Sequence, residues 1–229
     1  MNIRFILVVV VVIVFALGSG TISFFSGSGI TLKQAYDDKK VDIIQNTTAG
    51  TIPHNFTLKN NGTRPVVVDK GVVLKNDYSQ DLVIIEDKKI SPGTTATIKA
   101  YCFEPEQKAI PGAKLSPSSM VSGEIMQIID SSNPSELSNA TKSQLQIWIV
   151  VDRGEVNTST GEAAAVVSSQ KIRYYQMRQN LTTAKNDVIN RFNLTGEGLQ
   201  NLQSTSESNN GNIPGINNLL TWLRSSIGM

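Results

Sequence analysis

An apolar stretch near the N-terminus constrains this chain more than any other feature. Residues 5–17 carry no polar side chain, Arg4 precedes them, and three small residues (18–20) follow. A short basic region, an apolar run and small residues are typical of a secretory signal. The largely apolar range 5–25 is also long enough to span a membrane, so a cleaved signal peptide and an uncleaved anchor helix both stay open. Because the positive charge lies on the N-terminal side, either alternative predicts export of the remaining chain.

Composition fits an exported protein that does not bind nucleic acid. Cys102 is the only cysteine, and 21 basic against 19 acidic residues leave a net charge of +2. No basic stripe alternates with aromatic residues, so we expect no nucleic-acid partner. Seven asparagines stand in N-x-[ST] sequons, which are either chance matches in an Asn-rich chain or glycosylation sites on an exported surface. They are Asn46, Asn55, Asn61, Asn139, Asn157, Asn180 and Asn193.

The first half of the chain shows the pattern of an antiparallel β protein. Short apolar or alternating segments at 41–44, 51–59, 65–74, 81–86 and 94–103 are separated by turn residues. The turn Asn60-Asn61-Gly62-Thr63 is of the type that closes a hairpin, because Asn and Gly tolerate positive φ. Regularly spaced short strands predict an antiparallel sandwich.

Two of these segments resemble immunoglobulin-like modules of prokaryotic, especially archaeal, cell-surface proteins. They are Asn55-Phe56-Thr57-Leu58-Lys59-Asn60-Asn61-Gly62 and Ile90-Ser91-Pro92-Gly93-Thr94-Thr95-Ala96-Thr97-Ile98. The resemblance implies an immunoglobulin-like β-sandwich displayed on a surface.

The second half of the chain indicates helices. Ser116-Pro117 is expected to begin one helix, and Asn133-Pro134-Ser135-Glu136 a second one. Residues 145–151 suit a helix or a strand, and we expect the second helix to give way to a buried strand near Gln144. Apolar residues at helical spacing predict a long helix over 172–192 and a terminal amphipathic helix over 216–227, after a linker at 204–212.

The expected fold is therefore mainly β with α: an antiparallel immunoglobulin-like sandwich followed by a helical C-terminal region and preceded by a hydrophobic signal or anchor helix. The predicted boundaries are 1–28 for the signal or anchor, 29–155 for the sandwich with a helical insertion, 156–203 for the long-helix region and 204–229 for the linker and last helix. The apolar stripe of 172–192 belongs either to the core or to a partner or self-association contact.

The inventory for catalysis is small. His54 is the single histidine, so no Ser-His-Asp or Cys-His pair is apparent. A histidine among hydroxyl residues on a strand is expected to be a surface or half-buried residue. The sequence has no ligand spacing for a metal and no phosphate-binding loop. We therefore expect no enzyme activity, no cofactor and no bound metal.

Tyr101-Cys102-Phe103 and Ser143-Gln144-Leu145-Gln146-Ile147-Trp148 are similar to the signature of surface thioester domains in Gram-positive adhesins. The resemblance implies that Cys102 is the thiol and Gln144 the acyl donor of an internal thioester, which an amine would open. The alternative is a free, buried cysteine that packs as a small hydrophobic residue, with Gln144 satisfied by backbone groups.

These observations predict a non-enzymatic surface module for adhesion or envelope assembly, at the cell surface or outside the cell. Its expected partners are the membrane, through residues 5–25, and a protein or envelope component. The two alternatives are a covalent adhesin that uses Cys102 and Gln144, and an accessory subunit of a membrane complex.

Overall fold

The structure, a computed structural model, describes residues 29–206. The predicted signal or anchor segment 1–28 and the predicted helix 216–227 lie outside the described residues. The strands are β1 (Ile30–Thr31), β2 (Val41–Gln45), β3 (His54–Asn60), β4 (Val66–Val68), β5 (Val72–Lys75), β6 (Leu82–Ile84), β7 (Lys88–Ile90), β8 (Thr95–Cys102) and β9 (Ser116–Met120). The helices are α1 (Leu32–Asp37), α2 (Gly123–Asp130), α3 (Leu137–Val151), α4 (Gly161–Ser169), α5 (Tyr174–Arg191) and α6 (Gly196–Gln200).

Six strands form one curled antiparallel sheet in the order β2-β3-β8-β6-β5-β9. The chain just before β9 also bonds to the opposite edge of this sheet, because Gln45 N–H donates to Ala113 O and Leu115 N–H to Ile43 O. The segment 113–120 therefore bonds to β2 at one edge of the sheet and, as strand β9, pairs with β5 at the other. A smaller sheet has the order β1-β4-β7, with β1 parallel and β7 antiparallel to β4.

The larger sheet separates two apolar cores. On β6, Leu82 and Ile84 face the smaller sheet, whereas Val83 faces the helices. This alternation follows from the two-residue period of a strand, which places successive side chains on opposite faces. Every residue of β6 is buried, since both faces of the strand are covered. The layers are therefore the smaller sheet, the larger sheet and the helices.

The coarse prediction of antiparallel strands followed by helices is confirmed, and the fold is mixed α/β. It is not a clear immunoglobulin-like sandwich. The larger sheet curls so that one segment reaches both of its edges, and the smaller sheet contains a parallel pair of strands. The proposed domain boundaries stay predictions.

The predicted hairpin after β3 is wrong. Strand β3 pairs with β2 and β8, whereas the next strand, β4, belongs to the other sheet. The turn instead carries the chain from one sheet to the other, and the buried Asn60 stabilises it. Its side-chain Nδ2 donates to Arg64 O at 2.9 Å and to Ile90 O at 3.1 Å, and its Oδ1 accepts from Gly62 N–H at 2.9 Å.

The valine-rich segment 65–74 forms two strands rather than one, because the chain changes sheet at Gly71. That residue has a φ of 84°, and a Cβ atom there would lie 2.2 Å from Met126 Cε. The positive φ favours glycine, and a Cβ there would force the end of the Met126 side chain on α2 to move. The hydrophobic pattern alone contains no sign of the break.

The helix predicted to begin at Ser116-Pro117 is also wrong, since Ser116–Met120 is β9. Pro117 is tolerated there because β9 is an edge strand of the larger sheet. The helix begins later, at Gly123, where the Ser122 side chain accepts a hydrogen bond from Ile125 N–H. Ile125 and Ile128, three residues apart on this helix, are both buried.

The expected change from helix to strand near Gln144 does not occur. Helix α3 begins at Leu137 and continues to Val151. Residues 143–150 are all buried, because the larger sheet covers one side of α3 and the other helices cover the rest. A helix that is buried all around loses its apolar periodicity, which makes its sequence resemble a buried strand.

The long helix predicted over 172–192 is present as α5. Its buried residues Met177, Leu181, Ala184 and Val188 belong to the core shared with α3. This stripe packs inside the chain, so it is not a free seam for self-association. Within the described part of the chain, no helix has the length and hydropathy needed to cross a membrane.

Candidate functional site

A closed polar centre lies where the larger sheet meets α4. Glu162 and His54 are both fully buried, and Glu162 Oε1 lies 3.0 Å from His54 Nε2. The same carboxylate accepts hydrogen bonds from Gly50 N–H, through Oε1, and from Ala109 N–H, through Oε2 at 3.2 Å. His54 Nδ1 lies 2.8 Å from Thr47 Oγ1. Burial of an ionisable pair is tolerated when hydrogen bonds replace the lost hydration, and these contacts supply that replacement.

The start of α4 is what brings Glu162 into this centre. Gly161 has a φ of 61°, and a Cβ atom at this position would lie 2.1 Å from Pro105 O. Glu162 N–H donates to the same carbonyl at 2.7 Å. The glycine therefore lets the first turn of α4 approach the loop that follows β8. Glu162 then joins three segments: residues 47–54, residues 105–109 and α4.

The pair has the residue types of an acid–base dyad, but solvent and substrate cannot reach it. Both ring nitrogens of His54 have a polar neighbour, and neither His54 nor Glu162 is exposed. A general base needs to reach the proton of a substrate. In this arrangement, the hydrogen bonds of His54 and Glu162 hold separate segments of the chain together.

The expectation that His54 is a surface or half-buried residue is wrong, and Glu162 was not among the predicted site residues. The one signal for Glu162 was an acid directly before the apolar run Ala163-Ala164-Ala165-Val166-Val167. An acid at the edge of such a run is ordinarily a helix N-terminal residue facing solvent. The buried partner, His54, is 108 residues away in sequence.

The structure does bring Cys102 and Gln144 together. Gln144 Nε2 donates to Cys102 O at 2.7 Å, and Gln144 Oε1 accepts from Cys102 N–H at 2.8 Å. The pairing of β8 with β3 ends at Ala100, opposite His54, so no residue of β3 hydrogen-bonds to the backbone of Cys102. The carboxamide thus takes the place of a peptide group from the neighbouring strand. Both of its polar atoms are used in this way.

The thiol of Cys102 is buried and close to a backbone acceptor. Sγ lies 3.1 Å from Glu104 O. Burial raises the pKa of the Cys102 thiol well above its ordinary value, and the negative charge of Glu162 raises it further. Since the thiolate is the nucleophile, a thiol in this environment is unreactive.

A partly buried carboxyl group, that of Asp152, lies directly after α3. Its pKa is raised to about 6 by burial and then by the negative charges of Glu106 and Glu104. The end of a helix carries a partial negative charge, so the position is unfavourable for a carboxylate. Among residues 29–206, no group of three or more His, Cys, Asp or Glu side chains is arranged to hold a metal ion.

The seven sequon asparagines are all exposed or half-buried. Several of the side chains make local hydrogen bonds, such as Asn46 Nδ2 to Thr57 Oγ1 at 2.6 Å and Asn61 Nδ2 to Asp42 Oδ2 at 2.7 Å. Asn139 and Asn180 lie on helices α3 and α5. Their use as glycosylation sites stays a prediction.

Two of the grooves beside α5 differ in their lining. The first, of about 620 Å³, runs between α3 and α5 and is lined by Leu137, Ser138, Thr141, Lys142, Leu145, Gln170, Asn180, Thr183, Ala184 and Asp187. The second, of about 480 Å³, lies between α5 and the loop after α3. Neither groove borders the closed polar centre formed by His54 and Glu162.

The curled sheet, the helical layer and the closed polar centre define a mixed α/β domain whose buried acid holds its segments together. The chain belongs to the ARPP-1 family, described as the ARG and Rhodanese-Phosphatase-superfamily-associated Protein domain, whose model matches residues 9–218. No curated protein matches the chain, and no solved structure does.

This family assignment corrects the resemblances drawn from the sequence. The chain is neither an immunoglobulin-like module of the prokaryotic surface nor a Gram-positive thioester domain, because the family model covers most of it. The predicted functions based on those resemblances are therefore wrong as well. They are a membrane, signal-anchor or cell-surface adhesion protein, a covalent adhesin and a subunit of a membrane complex. The matched range begins within the apolar stretch 5–17. Export of the chain is a separate matter and stays a prediction.

Proposed function

We propose that the chain is a non-enzymatic domain that works by binding a protein, and that the partner is an enzyme of the Rhodanese-phosphatase superfamily. The family description names an association with that superfamily, which supplies the class of partner. The observation that carries the proposal is the open groove between α3 and α5, which has the character of a docking surface.

The floor of this groove is apolar and its rim is polar. Leu145 and Ala184 are buried at the floor, whereas Leu137 at the start of α3 is 59% exposed. An ion pair at 2.8 Å between Lys142 and Asp187 connects α3 with α5. An apolar centre surrounded by polar groups is the usual anatomy of a protein interface. An exposed leucine beside such a floor would serve as an anchor for the partner.

The chemistry of the buried groups also supports a binding role. The groups best suited to acid–base or nucleophilic work are His54, Glu162 and Cys102, and all three are fully buried. Each is engaged within the protein, the first two in the closed polar centre and the third against Glu104 O. A substrate would have to break these contacts before it could reach any of them.

Binding is tested with the purified full chain and the purified Rhodanese-phosphatase-superfamily enzymes of the same organism, by isothermal titration calorimetry. We expect one of these enzymes to bind saturably. Leu137→Glu places a charge at the groove, and Thr183→Arg fills it from α5. Because each disturbs a buried contact of the partner, each should weaken binding by about tenfold or more.

Tyr78→Ser is the matched control, because Tyr78 is 83% exposed and does not line the groove. It should leave the affinity unchanged. The proposed partner class is wrong if none of these enzymes binds. If one of these enzymes binds but Leu137→Glu and Thr183→Arg change the affinity no more than Tyr78→Ser does, the groove is not the binding surface. A measured activity that is lost in a folded Cys102→Ser or Glu162→Gln variant would contradict the non-enzymatic role.

A further inference from the structure

The second groove beside α5 has a different character, because cations and hydroxyl groups line it. It lies between α5 and residues 154–159, the loop that follows α3. Arg178, Thr182 and Lys185 face it from the helix. Their spacing of four and three residues places them on one face of α5. Seven residues correspond to about 10 Å along a helix, so the long side chains of Arg178 and Lys185 can converge on one small group.

The two cations are available to a ligand. The ion pairs in residues 29–206 use Lys33, Lys40, His54, Lys70 and Lys142 as their basic members. Arg178 and Lys185 therefore have no carboxylate within ion-pair distance in that part of the chain. Arg178 is exposed and Lys185 is half-buried.

Lys185 is positioned by the backbone of the loop. Its Nζ lies 3.4 Å from Gly154 O, a long hydrogen bond that leaves ammonium protons for other acceptors. Gly154 has a φ of 89°, and a Cβ atom there would lie 3.0 Å from the same Nζ and 2.9 Å from Leu199 Cδ2. The positive φ favours glycine here, and a Cβ would crowd the end of the Lys185 side chain.

The opposite wall of the groove also offers hydrogen-bond donors. Thr158 and Ser159 line it, and Thr158 is buried. The loop is held in shape by a hydrogen bond of 2.9 Å from Ser159 N–H to Asn157 Oδ1. The floor contains the buried apolar residues Ile149 and Leu181. An apolar floor lowers the local dielectric and strengthens the attraction of the cations for an anion.

We infer that this groove binds the phosphate group of a small phosphorylated compound. Arg178 supplies a guanidinium that matches two phosphate oxygens, and Lys185 supplies a second positive charge from the same helix face. Thr158 adds a hydroxyl group from the opposite wall, whereas the hydroxyl of Thr182 donates to Arg178 O at 3.0 Å and can offer only its oxygen as an acceptor. Glu155 is the acidic residue in the lining, so the groove keeps one net positive charge. This inference concerns a site separate from the proposed protein-binding groove and stands without it.

The experiment measures binding of inorganic phosphate and of pyrophosphate to the full chain by calorimetry at low ionic strength. We expect saturable binding that weakens as salt is added, since charge attraction drives it. Arg178→Gln and Lys185→Gln should each lower the affinity about tenfold or more. Glu155→Gln removes the opposing charge and should raise the affinity.

Lys33→Gln is the matched control, because it removes the same charge from an exposed position on α1 outside the groove. It should change the affinity little. Thermal midpoints of all four variants establish that each is folded. The inference is overturned if neither probe binds saturably, or if Lys33→Gln weakens binding as much as Lys185→Gln. It is equally overturned if Glu155→Gln and Arg178→Gln are both without effect.

Discussion

The carboxamide of Gln144 on α3 hydrogen-bonds to both backbone polar groups of Cys102 at the end of β8, with distances of 2.7 and 2.8 Å. It extends the hydrogen bonding of the larger sheet by one unit, across the boundary between the sheet and the helical layer. The side chain is fully buried, so water cannot replace either bond.

Replacement of Gln144 by Leu should therefore destabilise the protein strongly. The variant leaves a buried N–H and a buried carbonyl without partners, which costs about 2–4 kcal/mol of unfolding free energy in total. Urea unfolding followed by circular dichroism measures this change. Gln170→Leu is the control, because Gln170 is half-buried and makes a single 3.2 Å bond to Thr141, so its loss should cost less than about 1 kcal/mol. Equal effects of the two substitutions would contradict the assigned role of Gln144.

The intact mass of the full chain should equal that of its unmodified sequence, with no adduct after exposure to methylamine. Gln144 uses both atoms of its carboxamide on the backbone, and burial keeps the pKa of the Cys102 thiol high. A thiol reagent should modify Cys102 slowly in the folded protein and rapidly in urea. A mass lower by one ammonia, restored by methylamine, would show instead that Cys102 and Gln144 form a thioester.

Gly161→Ala should cost stability, whereas Gly123→Ala should not. Both glycines begin a helix, α4 and α2 respectively. A Cβ at Gly161 would lie 2.1 Å from Pro105 O at a φ of 61°, whereas a Cβ at Gly123 meets nothing within 4 Å. We expect a loss of about 2 kcal/mol or more for the first substitution and a gain of up to about 1 kcal/mol for the second. The comparison of their thermal midpoints tests whether the contact between α4 and the loop after β8 is required.

The Asp152 carboxyl should make stability fall as the pH rises from about 4 to about 7. Its pKa in the folded protein is raised to about 6, so in this range the folded state holds a proton that the unfolded chain releases. The stabilising contribution is present at low pH and is lost through pH 6. Because the group is about half-buried, we discount the effect to about 1–2 kcal/mol.

Asp152→Asn should therefore raise the unfolding free energy at pH 8 and have little effect at pH 4. Denaturant unfolding at both pH values measures the difference. Glu155→Gln serves as the control for a change of charge in the same loop, at an exposed position. An Asp152→Asn variant whose stability differs from the wild type equally at the two pH values would rule out this titration as the cause.

The parts of the fold that follow a local period could be predicted from the sequence. The three-and-four spacing in α5 reports one buried and one exposed face of the helix. The alternation in β8 reports its strand period, although residues 100–102 are buried on both faces. The prediction failed where burial is complete, as over residues 143–150 of α3, and where a single glycine directs the chain, as at Gly71. The Cys102–Gln144 contact was found by resemblance to the wrong family. The pairing of Glu162 with His54 depends on a tertiary contact that neither local sequence encodes.

The segment 113–120, which bonds to β2 at one end and to β5 at the other, leaves the larger sheet without a long free border. An uncovered strand border is a template on which a second chain can assemble, and natural β proteins protect it to avoid aggregation. Here one short piece of backbone protects both borders, so a break in the chain near residue 113 would expose two templates together. Cleavage by a protease there should promote fibril formation or the exchange of strands between molecules.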